Sequence, residues 1–355
     1  MEFIASSTQL EATQDWFTER IVELMGERKI GFVEAARLVA HDNLTGHGEH
    51  ATRSARPDPL DLFEDAPVRR AVVLAVAHYH GDDPDPELPR VAEQLAPDGI
   101  ASKALEADYG PPGVEILRDP SAAEMSAVLE RAISDLGAAA ARAGKHGELL
   151  VFFDGHGNSH GIAGSDGEEI TFDDLAKLNE KAVAANVHLV VVSNGCFQGA
   201  GVLLAERLTN LALAERLQAA KLPPERTGQL LAALTAAADL IDVGQALSQP
   251  LEEVGRIAGG DDHAWSETET VSALRATLER VASRAEASVD VSERLTSVRA
   301  RLAADSTDGK QVAALAADLD YVSDSLTEEI AALQELVTAQ LDAAGAQPRS
   351  TQGST

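Results

Sequence analysis

Four apolar runs, separated by stretches with helical spacing, constrain this chain more than anything else in it. Ala71-Val72-Val73-Leu74-Ala75-Val76-Ala77 is unbroken, as in a strand covered on both faces. Val114-Glu115-Ile116-Leu117 follows the turn Gly110-Pro111-Pro112-Gly113. Leu149-Leu150-Val151-Phe152-Phe153 and Leu189-Val190-Val191-Val192 are the third and fourth runs. Between them, Leu88 to Leu95, Ser121 to Ala143 and Phe172 to Ala185 fit helices. Ser121 with Glu124 predicts a capping box, and Thr171 an N-cap. Strands alternating with helices predict an α/β fold: a mostly parallel sheet with helices on both faces. In such sheets chemistry collects at the carboxyl ends of the strands.

Two of those ends carry reactive residues. The third run leads into Asp154-Gly155-His156-Gly157, and the fourth into Ser193-Asn194-Gly195-Cys196-Phe197-Gln198-Gly199. Cys196 is the single cysteine. If the two strands lie side by side and parallel, His156 and Cys196 emerge at one edge of the sheet. A thiol attacks a carbonyl only as thiolate, and its free pKa is about 8.5, so a base must assist. His156 can take the proton from Cys196 and later give it to a leaving amine. The N–H groups of Gly157 and Cys196 can converge on the carbonyl oxygen as its charge grows. The third member, a group orienting the imidazole, is not evident. Against this stands the reading of Cys196 as a small, inert core residue.

Composition narrows the partners. The formal net charge is −29, with no basic cluster, so nucleic acid and anionic membranes are not expected. A lone cysteine excludes an internal disulfide and a cysteine-based zinc site. No signal peptide is evident at Met1-Glu2-Phe3-Ile4-Ala5, and no run reads as a span of roughly 18 apolar residues. A cytoplasmic protein without cofactor or metal is expected. His41, Asp42, His47 and His50 fit no zinc spacing, and Asp82, Asp83, Asp85, Asp166 and Glu168 fit no calcium loop. His78 and His80 read as rim residues beside the site.

The rest of the chain reads as helical. Residues 1–66 are expected to form a helical N-terminal segment and linker, and residues 67–203 the α/β domain. Residues 204–345 are expected to be all-α. Val271, Leu274, Leu278, Val281 and Ala285, then Leu295, Val298 and Leu302, keep a three-four spacing. After Ser306-Thr307-Asp308-Gly309, so do Val312, Leu315, Leu319, Val322, Leu326, Ile330, Leu333 and Val337. Two such helices predict an antiparallel coiled-coil hairpin over 266–345, and a disordered tail over 346–355.

The strand-end motifs resemble those of the caspase-like cysteine peptidases, the clan of caspases, metacaspases and related bacterial enzymes. Phe152 to Gly157 looks like their hydrophobic strand followed by Ser-Gly-His-Gly, and Val191 to Gly199 like their strand followed by Asp-Ala-Cys-x-Ser-Gly. Tyr79 after the first strand fits the clan's opening, and Asp173 to Gly199 is similar to its CHAT branch. The resemblance covers about residues 67–203. It implies Cys196 as nucleophile, His156 as base, Gly157 and Cys196 as oxyanion donors, and Asn194 and Asp154 at the substrate. Asn194 stands where metacaspase-type enzymes carry an aspartate that binds a basic residue, so cleavage after Arg or Lys is not implied. The family also continues with further strands after the cysteine, whereas this chain turns helical.

The expected function is therefore a cysteine endopeptidase acting on a protein or peptide, with the C-terminal helices binding a protein partner. By analogy of fold the resemblance points to bacterial signalling or defence. The alternative is a catalytically inactive caspase-like scaffold working as an interaction module. A flavodoxin-like phosphate binder fits less well, because His78-Tyr79-His80-Gly81-Asp82 replaces a phosphate-binding glycine loop.

Overall fold

A computed structural model describes residues 1–6, 16–43, 52–53, 67–80, 87–259, 266–304 and 309–345. The four apolar runs form strands β3 (Val68–Ala75), β4 (Val114–Arg118), β5 (Gly147–Asp154) and β8 (Val187–Asn194). They pair in parallel in the order β8-β5-β3-β4. Beyond β8 lies β1 (Glu2–Ala5), also parallel, and at the edge the short antiparallel β2 (Thr52–Arg53). The fold is mixed α/β with a mostly parallel sheet.

β1 corrects the expectation of a helical segment over 1–66 that stands apart from the α/β domain. Glu2 to Ala5 lie opposite Val190 to Ser193, so the first residues of the chain extend the sheet beside the strand that leads to Cys196. The Glu2 side chain is fully buried, and the Arg37 guanidinium holds both its oxygens, at 2.7 and 2.6 Å. Removing one member of such a pair leaves a buried charge, at a cost of about 3–5 kcal/mol.

Alternation along the strands sorts two cores. Val72, Leu74, Leu149, Val151, Phe153, Leu189 and Val191 point to one face, under α5 (Ala122–Ala143), α6 (Phe172–Ala184) and α7 (Gly199–Ala219). Ala71, Val73, Leu150, Phe152, Val190 and Val192 point to the other. There they meet α1 (Trp16–Arg28), α2 (Phe32–Asn43), α3 (Pro89–Gln94) and α4 (Ile100–Tyr109). Each fully buried aliphatic or aromatic side chain contributes about 1.5–3 kcal/mol, which is why continuous apolar runs suit strands covered twice. Caps end the helices where the sequence places them. Ser121 and Glu124 form the capping box of α5, Gly144 closes it at φ 66°, and the Thr171 hydroxyl accepts the Asp174 N–H on α6. A hairpin of β6 (Gly161–Ala163) and β7 (Glu169–Thr171) fills the connection before α6.

After α7 the chain is helical: α8 (Pro224–Gly259), α9 (Glu267–Ala285), α10 (Val289–Ala304) and α11 (Gly309–Gly345). The expected two-helix hairpin is thus corrected to three helices, packed with α8 around one apolar core. The break falls where the apolar spacing lapses, between Ala285 and Val291, and the Ser288 hydroxyl caps the N–H of Val291. α10 folds back on α9, with Arg275 bonding the Leu302 carbonyl. It then runs against α11, with Arg294 over the Tyr321 ring at 3.4 Å. Leu230 and Leu234 of α8 meet Val337 and Leu341 of α11 beside Leu213 and Leu217 of α7. One end of α7 therefore covers the sheet while the other joins the helical bundle.

The stretch Pro224–Ala258 of α8 is long and apolar enough to cross a membrane, but half of its most apolar window is buried inside the protein. Composition leads to no expected span, and the α8 side chains Leu240, Ile241, Val243, Leu247, Leu251 and Val254 pack in the helical core. The linker histidines His47 and His50, the acidic group Asp82, Asp83 and Asp85, and the 346–355 tail lie outside the described residues.

Candidate active site

β5 and β8 pair so that Asp154 stands opposite Asn194. His156 and Cys196 each follow two positions later, at the carboxyl ends of adjacent parallel strands, and both are half-buried. The common register brings the two residues to one edge of the sheet, as their positions after the apolar runs imply.

The two loops touch. A Cβ at Gly157 would lie 2.4 Å from Gln198 Nε2 and 3.2 Å from the Cys196 carbonyl oxygen, so only glycine fits. Gln198 is fully buried, and its amide nitrogen donates to the carbonyls of Asn158, Gly161 and Cys196, each at 3.1 Å. Its oxygen accepts the Ser193 hydroxyl at 3.0 Å. One side chain therefore ties the cysteine loop to the loop after His156. Around Gly157, Ala163 N–H donates to the His156 carbonyl and Asn158 N–H to the Gly161 carbonyl. Those two bonds flank Gly157 and leave its own N–H outside the ladder, as an oxyanion donor requires.

Tyr79 holds His156. Its hydroxyl accepts the main-chain N–H of His156 at 2.6 Å, and its ring lies 4.4 Å from the imidazole, tilted by 38°. A Cβ at Gly155 would lie 2.6 Å from that hydroxyl, which explains the glycine before His156. The sequence points to Tyr79 only through the family motif; its contact with a residue 77 positions away is a product of the β3–β5 pairing. Gln198, at a position where the motif carries serine, carries no sequence signal of its tethering role.

On the far side of Cys196 the chain turns sharply. Phe197 has φ 55°, a left-handed conformation uncommon for an aromatic residue, and α7 begins at Gly199. Cys196 thus sits at the positive end of a helix of 21 residues, which favours negative charge beside it.

Asp154 and Asn194 depart from their expected place at the substrate. Both are buried, at 2% and 5% exposure. The Asn194 amide donates to Asp154 Oδ1 at 2.9 Å and to the Thr18 hydroxyl of α1 at 3.3 Å. They close the strand ends against α1 on the inside, because the last residues of both strands share the pleat that faces that helix. His78 and His80 do lie exposed beyond β3. His78 Nδ1 is 2.9 Å from Asp119, whose other oxygen accepts the N–H groups of Ala77 and His78. Asp166 accepts the Ala122 N–H at the start of α5.

A scan against protein-family models and a search of curated proteins find no match to this chain.

Beside the His156 loop a cleft of about 820 Å³ runs between Ser159 and His160 on one wall and α6, α7, α8 and α9 on the others. Arg207 and Arg280 line it together with Asp173, Gln245 and Thr277.

Proposed function

We propose that the protein is a cysteine endopeptidase of the caspase-like type, with Cys196 as nucleophile and His156 as general base. The observation that carries this reading is the common register of β5 and β8, which presents the two residues equally far past adjacent parallel strands. His156 takes the thiol proton, and the thiolate sulfur bonds to the substrate's carbonyl carbon. The oxygen becomes an oxyanion held by the N–H groups of Gly157 and Cys196. His156 then protonates the departing amine as the carbon–nitrogen bond breaks. Water, deprotonated by His156, hydrolyses the thioester and returns the thiol.

The proposed substrate is a protein or peptide, and the proposed site of work is the cytoplasm. The buried Asp154–Asn194 pair supplies no exposed anion for a basic side chain, so a preference for Arg or Lys is not part of the proposal. The test is a fluorogenic peptide panel run on the unaltered protein and on Cys196→Ala and His156→Ala. Cleavage lost in both variants is expected. Equal rates in all three would overturn the reading, and so would cleavage that survives Cys196→Ala.

A further inference from the structure

α8 reaches across both catalytic loops. Glu252 of α8, only 5% exposed, accepts the Ser159 N–H at 2.9 Å, in the loop that follows His156. Its second oxygen holds the Arg256 guanidinium at 2.8 and 3.0 Å, one helical turn on. Arg256 in turn stands over the Phe197 ring at 5.4 Å, in the strained residue next to Cys196. The chain of contacts is continuous: His156 loop, Glu252, Arg256, Cys196 loop. Nothing in catalysis as described above uses it, and the sequence places both residues in the helical region expected to bind a protein partner.

We propose that Glu252 and Arg256 are positioning residues, a clamp by which the helical bundle holds the His156 loop and the Cys196 loop at working separation. This rests on the Cys-His reading above. A carboxylate accepting a buried backbone N–H and binding a guanidinium fixes both partners more firmly than neutral groups would. Phe197, held at positive φ, is the element of the cysteine loop most in need of such support. It follows that the position of α8, and hence the state of the bundle, governs whether the thiol is activated. The helical region is then a working wall of the site.

The experiment alkylates Cys196 with iodoacetamide across a range of pH. It compares the unaltered protein with His156→Ala, Glu252→Ala, Glu252→Gln, Arg256→Ala and Arg256→Lys, each checked for folding by circular dichroism and thermal melting. If the clamp acts as described, Glu252→Ala and Arg256→Ala slow alkylation at neutral pH about tenfold, towards the rate of His156→Ala. Glu252→Gln keeps an acceptor for Ser159 and Arg256→Lys keeps the charge, so each retains part of the rate. Arg256 is partly exposed, so its variants remain informative if Glu252→Ala does not fold. Folded Glu252 and Arg256 variants with an unchanged, His156-dependent profile would overturn the clamp and leave the peptidase reading standing. An unaltered protein whose alkylation ignores His156→Ala would overturn both.

Discussion

Tyr79 grips His156 twice, accepting its main-chain N–H at 2.6 Å and lying against its ring at 4.4 Å. Cys-His peptidase chemistry needs an imidazole that points one way, and a side chain usually provides the second contact. Here an aromatic residue four positions past the end of β3 bonds the backbone and stacks on the ring. Tyr79→Phe keeps the ring and deletes the acceptor. The stranded N–H costs about 1–3 kcal/mol. Peptide hydrolysis is expected to fall about tenfold in kcat with KM little changed. Steady-state kinetics check this, and an unchanged kcat would mean that the stacking alone orients the base.

Asp119 supplies a pH test at the rim. Burial pushes its carboxyl up, but the His78 ring and the N–H groups of His78 and Ala77 outweigh that and hold it below the usual carboxylate range. A group depressed in the folded state stabilises at pH above its unfolded value, about 3.9, and loses that contribution as pH falls through the folded value. Asn at this position tolerates the φ of 49°, and its one oxygen still accepts the N–H groups of Ala77 and His78 while the charge facing His78 is lost. Asp119→Asn should therefore cost about 1 kcal/mol at pH 7, with the difference closing below the carboxylate range. Urea denaturation of both proteins at pH 7, 4 and 3 measures it, and a gap independent of pH would contradict the role given to the charge.

How much of this was readable beforehand depends on the range of the interaction. β3, β5 and β8 announce themselves because strands buried on both faces need apolar residues at every position. The capping box at Ser121 is local and equally plain. β1 is not, since Phe3-Ile4-Ala5 is too short to show a period and becomes a strand only by pairing with Val191 to Ser193. The turn between α9 and α10 hides in a helix-favouring sequence, with Ser288 as its one local sign. At the site, the positions of His156 and Cys196 follow from strand register, whereas Tyr79, Gln198 and Glu252 act on partners brought near by the fold alone. Asp154 and Asn194 mislead because the family resemblance alone puts them at the substrate, whereas their burial against Thr18 depends on α1.

The N-terminal strand yields a stability prediction. Arg37 is held charged above its ordinary range: burial opposes this, and the bonds to Glu2 outweigh it. Arg37→Ala leaves the Glu2 carboxylate buried without its main partner, at about 3–5 kcal/mol. Detachment of β1 then exposes the edge of β8. Amide exchange across Val190 to Ser193 should accelerate, while the α8–α11 bundle keeps its protection. Unchanged exchange in β8 would mean that β1 is not held by this pair.

Asn194→Asp separates an internal role from a substrate-binding one. The Asn194 amide donates to Asp154 at 2.9 Å within a buried pocket. An aspartate there sets two carboxylates face to face, and like charges out of water raise the pKa of one of them. The variant should lose about 3 kcal/mol or more at neutral pH. A group whose folded pKa is raised is favoured in its protonated form, so the deficit should shrink as pH falls towards 5 and grow as pH rises to 7. Urea denaturation at those two pH values gives the sign, and the peptide panel gives the specificity. If the residue faces a substrate groove instead, the variant keeps its stability and gains cleavage after Arg or Lys. The hydrogen bond to Asp154 and the contact with Thr18 predict the first outcome, because both lie on the side of the strands covered by α1.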